Sequence, residues 1–325
     1  MIVRWGLESY PGLLTELGLA RPLLVTTRRW DDLDLPAAER YGGVRQHAPR
    51  ETVDAAIAAS RGADGLVALG GGSAIDTTKA VSAATGLPVV SIPTTYSGAE
   101  WTPGFGVRDE ERGLKVGGGG ARIEGIVYEP ELTLGLPAGE SGGTALNALA
   151  HCAEALYVEG RNPDADRDAL AGARLIAASL PKVLADGSHR GARRELLEGA
   201  MHAGAALAGA GLGLGHAMAQ ALGGRYGISH GALNAVCLPP ALRFNQPVAA
   251  AEISRFGEAI GDAHDAPGKV AELARLAGYE RLRDLGVPEP ELPVVAEAVA
   301  ERAGVRANPR PASPAEIADL LRSVW

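Results

Sequence analysis

The sequence predicts an α/β domain over residues 1–138, built on a parallel sheet, followed by an all-α domain over residues 139–325. Three observations carry this expectation. A chain of 325 residues exceeds what a single core usually serves, so two domains are the default. The first half alternates short apolar runs with helical patterns, as a parallel sheet with crossover helices requires. After Pro130 the composition turns alanine-rich and helix-favouring almost to Trp325, which puts the boundary near Pro137 to Ser141.

The elements follow in order. Residues 23–27 read as a strand and residues 52–61 as a helix. Residues 64–69 form the next strand, which runs into Gly70, Gly71 and Gly72. Ser73 is expected to cap a helix reaching about Ala84, and residues 88–92 return as a strand. Residues 105–116 suggest a hairpin about an acidic turn, continuing into the glycines at 117–120 and forming a flap. In the helical half, Pro163, Pro181, Pro239 and Pro240 are expected to interrupt helices.

Composition narrows the function classes. Hydrophobic residues make up 46% and charged residues 22%, ordinary values for a chain that buries a core. The formal net charge of -8, with no long basic run, argues against nucleic acid or an anionic membrane as partner. Only Cys152 and Cys237 are present, so a disulfide framework or thiolate zinc site is excluded, and both read as small core residues. The first residues lack a basic segment followed by an apolar one, and no apolar run reaches spanning length; the expected location is cytoplasmic.

Two loops at one sheet edge carry the first chemical signal. Backbone N–H groups at a glycine turn opening a helix can meet a phosphate, where the helix dipole adds partial positive charge. Gly70, Gly71, Gly72 and Ser73 are so placed, although glycine in such turns also serves geometry alone. The next strand ends in a second hydroxyl-rich loop with Thr94, Thr95 and Ser97, at the edge where open α/β sheets bind ligands. In the helical half Asn147 and His151 lie four apart and share a helix face, as do His216 and Gln220, and His230 follows. His47, His189, His202 and His264 read as ordinary satisfied histidines.

Taken together, these segments resemble the iron-type alcohol dehydrogenase superfamily. The resemblance rests on Gly-Gly-Gly-Ser-Ala-Ile-Asp-Thr-Thr-Lys-Ala (70–80), Ile-Pro-Thr-Thr-Tyr-Ser-Gly-Ala-Glu (92–100), Asn147-x3-His151-x2-Glu154 and His216-x3-Gln220-x9-His230-Gly231. Pro-Thr-Thr-Tyr-Ser-Gly-Ala-Glu-Trp-Thr-Pro, Val-Tyr-Glu-Pro-Glu-Leu-Thr-Leu-Gly-Leu-Pro and Leu-Asn-Ala-Leu-Ala-His are similar to its maleylacetate reductase branch. The resemblance implies a dehydroquinate synthase-like architecture, an N-terminal dinucleotide-binding domain, an active site in the cleft between the domains and a homodimer. It implies NADH or NADPH along Gly70, Gly71, Gly72, Ser73, Asp76, Thr94, Thr95 and Ser97, and hydride transfer to the C=C bond of maleylacetate or a similar 4-oxo-2-enedioate, giving 3-oxoadipate.

Metal-dependent members carry an aspartate where this chain has Asn147, with histidines matching His151, His216 and His230. A neutral amide removes the formal charge that would offset a divalent ion, so no metal is expected at this degenerate set. Gln220 stands where both branches commonly carry histidine, and Ser229-His230-Gly231-Ala232-Leu233-Asn234 is closer to the alcohol dehydrogenase form.

Cofactor choice turns on Thr27 and Arg28 after the first long strand, where an arginine would meet the phosphate of NADPH; pairing with Asp31 or Asp32 is the alternative. A small anionic substrate needs local cations, for which Lys115, Arg225 and Arg243 are the candidates, Lys115 and Arg225 being favoured because both flank expected site loops. Two other readings stay open: a metal-dependent alcohol or aldehyde oxidoreductase using the same residues, and a catalytically silent nucleotide-binding protein.

Overall fold

The structure, a computed structural model, describes residues 1–109 and 114–325. It comprises two compact units, one of Met1–Thr95 with Ala99–Thr133 and one of Tyr96–Gly98 with Leu134–Trp325.

The first unit is an α/β sheet domain. Its strands are β1 (Ile2–Trp5), β2 (Pro22–Val25), β3 (Glu39–Tyr41), β4 (Gly65–Gly70), β5 (Pro88–Pro93), β6 (Phe105–Asp109), β7 (Leu114–Gly118) and β8 (Arg122–Tyr128). Helices α1 (Tyr10–Glu16), α2 (Arg50–Ala59) and α3 (Gly72–Thr85) lie among them in sequence. Among the described residues the main sheet runs β1-β8-β5-β4-β2-β3 with every neighbouring pair parallel. Parallel sheets are covered on both faces, and β4 accordingly is Gly-Leu-Val-Ala-Leu-Gly, buried throughout. Alternation along the strands splits the core in two. Leu24, Val67, Leu69, Val90 and Ile92 face Tyr10 and Leu13, while Leu23, Val25, Leu66 and Val89 face Ala56, Ala74 and Val81. Each fully buried aliphatic side chain of this kind contributes about 1.5–3 kcal/mol.

The predicted strands and helices of this half are present with ends shifted by one or two residues. The helix after the glycines differs in its cap: α3 begins at Gly72 with Gly71 as N-cap and no side-chain cap. Ser73 lies inside the first turn, and its Oγ accepts from the backbone N–H of His47 instead. The expected hairpin is the antiparallel pair β6–β7, Phe105 opposite Gly118, and its acidic turn lies outside the described residues.

The second unit is helical. After α4 (Ala138–Ala155) come α5 (Pro163–Ala185), α6 (Arg190–Ala210), α7 (Leu214–Tyr226), α8 (His230–Asn245), α9 (Ala250–Ile260), α10 (Ala266–Leu276), α11 (Leu292–Ala300), α12 (Ala303–Arg306) and α13 (Pro314–Ser323). Pro163 opens α5 at a position that needs no N–H. The expected breaks at Pro181, Pro239 and Pro240 do not occur, since α5 and α8 run through them. Burial outweighs the lost hydrogen bonds in α8, where nearly every residue from Gly231 to Asn245 is in the core. Cys152 and Cys237 are free and fully buried, as expected of small core side chains. Among the described residues no helix is long and apolar enough to cross a membrane.

Candidate functional site

In the sheet domain, the chain order places a topological switch between β2 and β4. From β2 the chain moves outward to β3, and from β4 it moves the other way to β5, so the loops after β2 and β4 part at their carboxyl ends. Such a crevice is where open α/β sheets bind nucleotides. Thr26 Oγ1 donates to the Leu69 carbonyl at 2.9 Å and ties the two strand ends together. Gly70 has φ 147°, which side-chain-bearing residues rarely adopt. At Gly71 a Cβ would stand 2.7 Å from Thr95 Cγ2. The glycine turn and the uncapped first turn of α3 therefore leave backbone N–H groups that a phosphate fits.

Of the other residues expected there, Thr94 is buried and its N–H bonds the Gly70 carbonyl at 3.1 Å, so the two loops brace each other. Arg28 is exposed in a short turn just after β2 and Thr27 bridges to Gly43. Asp76 is held by Lys79, 3.3 Å away, and accepts from the N–H of Gly106. Ser97 belongs to the helical unit, where its carbonyl meets Asn147.

In the helical unit, α4 and α8 approach at two glycines. A Cβ on Gly231 would lie 2.5 Å from the Gly143 backbone, so only hydrogen fits. One turn further along each helix Asn234 and Asn147 meet. Asn234 Nδ2 donates to Asn147 Oδ1 at 2.7 Å, and Asn147 Nδ2 donates to the Ser97 carbonyl at 3.1 Å. A carbonyl only accepts, which fixes which end of the Asn147 amide is nitrogen. The same NH2 lies 3.4 Å from His151 Nε2. An imidazole nitrogen that accepts is unprotonated, so the neutral His151 ring carries its proton on Nδ1, a buried atom with no hydrogen-bond partner among the described residues.

His216, in the first turn of α7, stacks on His151 with ring centroids 4.6 Å apart and an interplanar angle of 13°. Its Nδ1 lies 2.7 Å from Oε2 of Glu154, a fully buried carboxylate. Glu154 also accepts the N–H groups of Gly213 at 2.7 Å and His216 at 3.1 Å, capping the positive end of α7. Three donors satisfy the buried carboxylate, and the pairing directs His216 Nε2 away from it, buried and without a hydrogen-bond partner among the described residues. His230 Nδ1 lies 3.1 Å from where a Cβ of residue 223 would stand, on the same face of α7 as His216. Burial above all, with the charges His216 and His230 would carry, holds the His151 pKa well below its ordinary value, so His151 is neutral.

These residues do not suit a divalent ion. The Asn147 oxygen that would ligate it is bonded to Asn234, and the atom turned toward His151 is an N–H donor. Among the described residues no group of three or more His, Cys, Asp or Glu side chains could hold a metal ion.

The two favoured cations fare differently. Arg225 pairs with Glu291 at 2.6 Å on an exposed face, so its charge is already matched. Lys115 pairs its backbone with Arg108 across the β6–β7 hairpin, and its side chain lies outside the described residues. The sequence motifs contain Glu154 and Asn234 but assign neither a role; their positions one turn from His151 and from Gly231 are the available signals.

The chain thus combines a switch-point α/β unit with an all-helical unit that carries a carboxylate–histidine pair, the two-domain layout of a nucleotide-binding protein with a separate helical part. A family profile described as "Iron-containing alcohol dehydrogenase" matches residues 5–123, and one described as "Fe-containing alcohol dehydrogenase family, C-terminal" matches residues 142–325. The chain belongs to the iron-containing alcohol dehydrogenase family and is an oxidoreductase. It is 38% identical to a maleylacetate reductase of Burkholderia cepacia over 284 residues, covering 86% of this chain and 79% of the relative. A maleylacetate reductase of Rhodococcus opacus is 37% identical over 292 residues, 88% of this chain and 80% of that one. The solved structure of a maleylacetate reductase from Agrobacterium tumefaciens superposes with a TM-score of 0.91 at 32% identity, covering 100% of this chain and 95% of that one.

Proposed function

We propose that this protein is an NAD(P)H-dependent reductase of the C=C bond of maleylacetate or a similar 4-oxo-2-enedioate, working without a metal. The observation that carries the reading is the Glu154–His216 pair beside a neutral His151, a proton donor and a hydrogen-bond donor in one buried cluster. The substrate class comes from the maleylacetate reductases to which the chain is similar.

The reduced nicotinamide, when bound, supplies hydride. Gly71 and the first turn of α3 would hold its phosphates, and Arg28, exposed just after β2, would meet the ribose phosphate of NADPH. Hydride adds to the alkene carbon two bonds from the ketone carbon, and the π electrons move onto the ketone oxygen. His151 Nδ1–H stabilises that oxygen; a neutral imidazole can do so because its proton is already directed. His216 gives its Nε2 proton to the remaining alkene carbon, and Glu154 stabilises the cationic ring that holds this proton beforehand. Carbonyl polarisation by N–H groups leaves no step for a Lewis acid.

The test is NAD(P)H oxidation with maleylacetate against a panel of simple aldehydes and ketones. The reading expects turnover of maleylacetate to 3-oxoadipate in one-to-one ratio with cofactor oxidised. Oxidation with aldehydes alone would select the metal-dependent alternative, and cofactor binding with no turnover would select a silent nucleotide-binding protein.

A further inference from the structure

Arg302 sits between α11 and α12 and is half-buried. Its Nη1 donates to Gln220 Oε1 at 3.4 Å, and its Nε is buried with no hydrogen-bond partner among the described residues. Burial alone acts on the guanidinium, lowering its pKa from the ordinary arginine value; no carboxylate contributes. Two other arginines of this unit are better served. Arg193 is 1% exposed and spends Nε, Nη1 and Nη2 on four oxygen acceptors, and Arg225 is ion-paired. A guanidinium offers five N–H groups, so Arg302 keeps most of its fork unspent in a place where water cannot fully serve it.

Gln220 connects this cation to the histidines. It lies one helical turn after His216 on α7, and Gly223, against which His230 packs, falls on the same face. That face therefore presents, in register, the His216–Glu154 pair, the His230 contact and a glutamine whose carbonyl oxygen holds an arginine. Where the family resemblance leads one to expect a histidine at residue 220, this chain has an amide acceptor that fixes the guanidinium's orientation.

We propose that Arg302, positioned by Gln220, binds one of the two carboxylates of the substrate. The inference rests on the proposed reading of the histidine cluster as the reducing site and assigns its specificity for a dicarboxylate. The planar fork matches a carboxylate through two parallel hydrogen bonds, which a lysine cannot reproduce. A substrate with a single carboxylate would leave either this contact or its counterpart at the other end unmade.

The experiment measures calorimetric binding of adipate and hexanoate, a saturated six-carbon dicarboxylate and its monocarboxylate, to the full-length wild type, Arg302→Gln, Arg302→Lys and Gln220→Ala. Wild type is expected to bind adipate more tightly than hexanoate. Arg302→Gln should lose about 10–100-fold in adipate affinity, the range for one charged hydrogen-bonded contact, and with it the preference. Arg302→Lys, which keeps charge and stem, should lose part of this and covers the case in which the glutamine variant fails to fold. Gln220→Ala should lose several-fold, and with maleylacetate it should raise KM while leaving kcat within about threefold. Equal adipate affinity in wild type and both Arg302 variants, including none in any, overturns the proposal, as does an equal loss for both ligands. The binding arm contains no turnover, so it decides on Arg302 whether or not maleylacetate proves to be the substrate.

Discussion

Glu154→Gln changes one atom in a side chain that is 0% exposed, and the structure sets what that costs. Oε2 accepts from Gly213 N and His216 Nδ1, and Oε1 from His216 N. A glutamine has one acceptor oxygen. Placed at the Oε2 position it strands the His216 amide, and placed at Oε1 it strands two donors. Each buried unsatisfied donor costs about 1–3 kcal/mol, so the variant should lose at least that much stability, with a further loss at the α7 dipole. The chemical loss is separate: without the carboxylate, His216 no longer has a charge to stabilise its imidazolium, and general acid catalysis worth about 10²–10⁴-fold is at stake. The assay pairs thermal unfolding with kcat for maleylacetate reduction under saturating NAD(P)H. A folded Glu154→Gln protein with kcat within threefold of wild type would refute the role given to His216, and an unchanged melting temperature would refute the capping of α7.

Three other outcomes follow from the same geometry. Gly71→Val puts a Cβ 2.7 Å from Thr95 Cγ2 and two methyl groups beyond it, so NAD(P)H affinity should fall at least tenfold by fluorescence titration; unchanged affinity in a folded variant would remove the glycine turn from the cofactor site. Asn147→Asp replaces the N–H that bonds the Ser97 carbonyl by a carboxylate oxygen 3.1 Å from it, which should destabilise the protein by about 1–3 kcal/mol; calorimetry should show zinc binding tighter than in wild type, because the charge is restored, and equal negligible binding in both would argue against it. Glu100 is fully buried, and burial first of all raises its pKa above the ordinary 4.5, with the Tyr128 hydroxyl and Lys79 opposing. A raised folded pKa means the folded state binds more protons, so this group's favourable contribution is present below 4.5 and is lost as pH rises toward the folded value. The melting-temperature advantage of Glu100→Gln over wild type should therefore grow with pH above 4.5, and a pH-independent difference would contradict the assignment.

The readability of the chain follows its physics. Buried central strands and a glycine turn announce themselves, as residues 64–73 did, because burial on both faces demands continuous apolar runs. The three-residue edge strand Glu39–Tyr41 carries two exposed residues and no such run, and its pairing with β2 depends on tertiary context. Prolines at 181, 239 and 240 signal breaks locally, yet core burial carries α5 and α8 through them. In the site, helical spacing paired Asn147 with His151, but which end of the amide faces the ring depends on Ser97 and Asn234, far away in sequence. Arg225 and Lys115 stand out only by their neighbours along the chain. Arg302 is 82 residues from the glutamine that holds it, and nothing local marks it.

The central claim is that N–H groups of this chain, rather than a metal ion, polarise the substrate carbonyl. It is tested most directly by measuring maleylacetate-dependent NAD(P)H oxidation on protein dialysed exhaustively against chelator, with metal content determined by mass spectrometry on the same sample. The account predicts full kcat at far less than one metal ion per chain. Activity lost on chelation and restored by iron or zinc would contradict it.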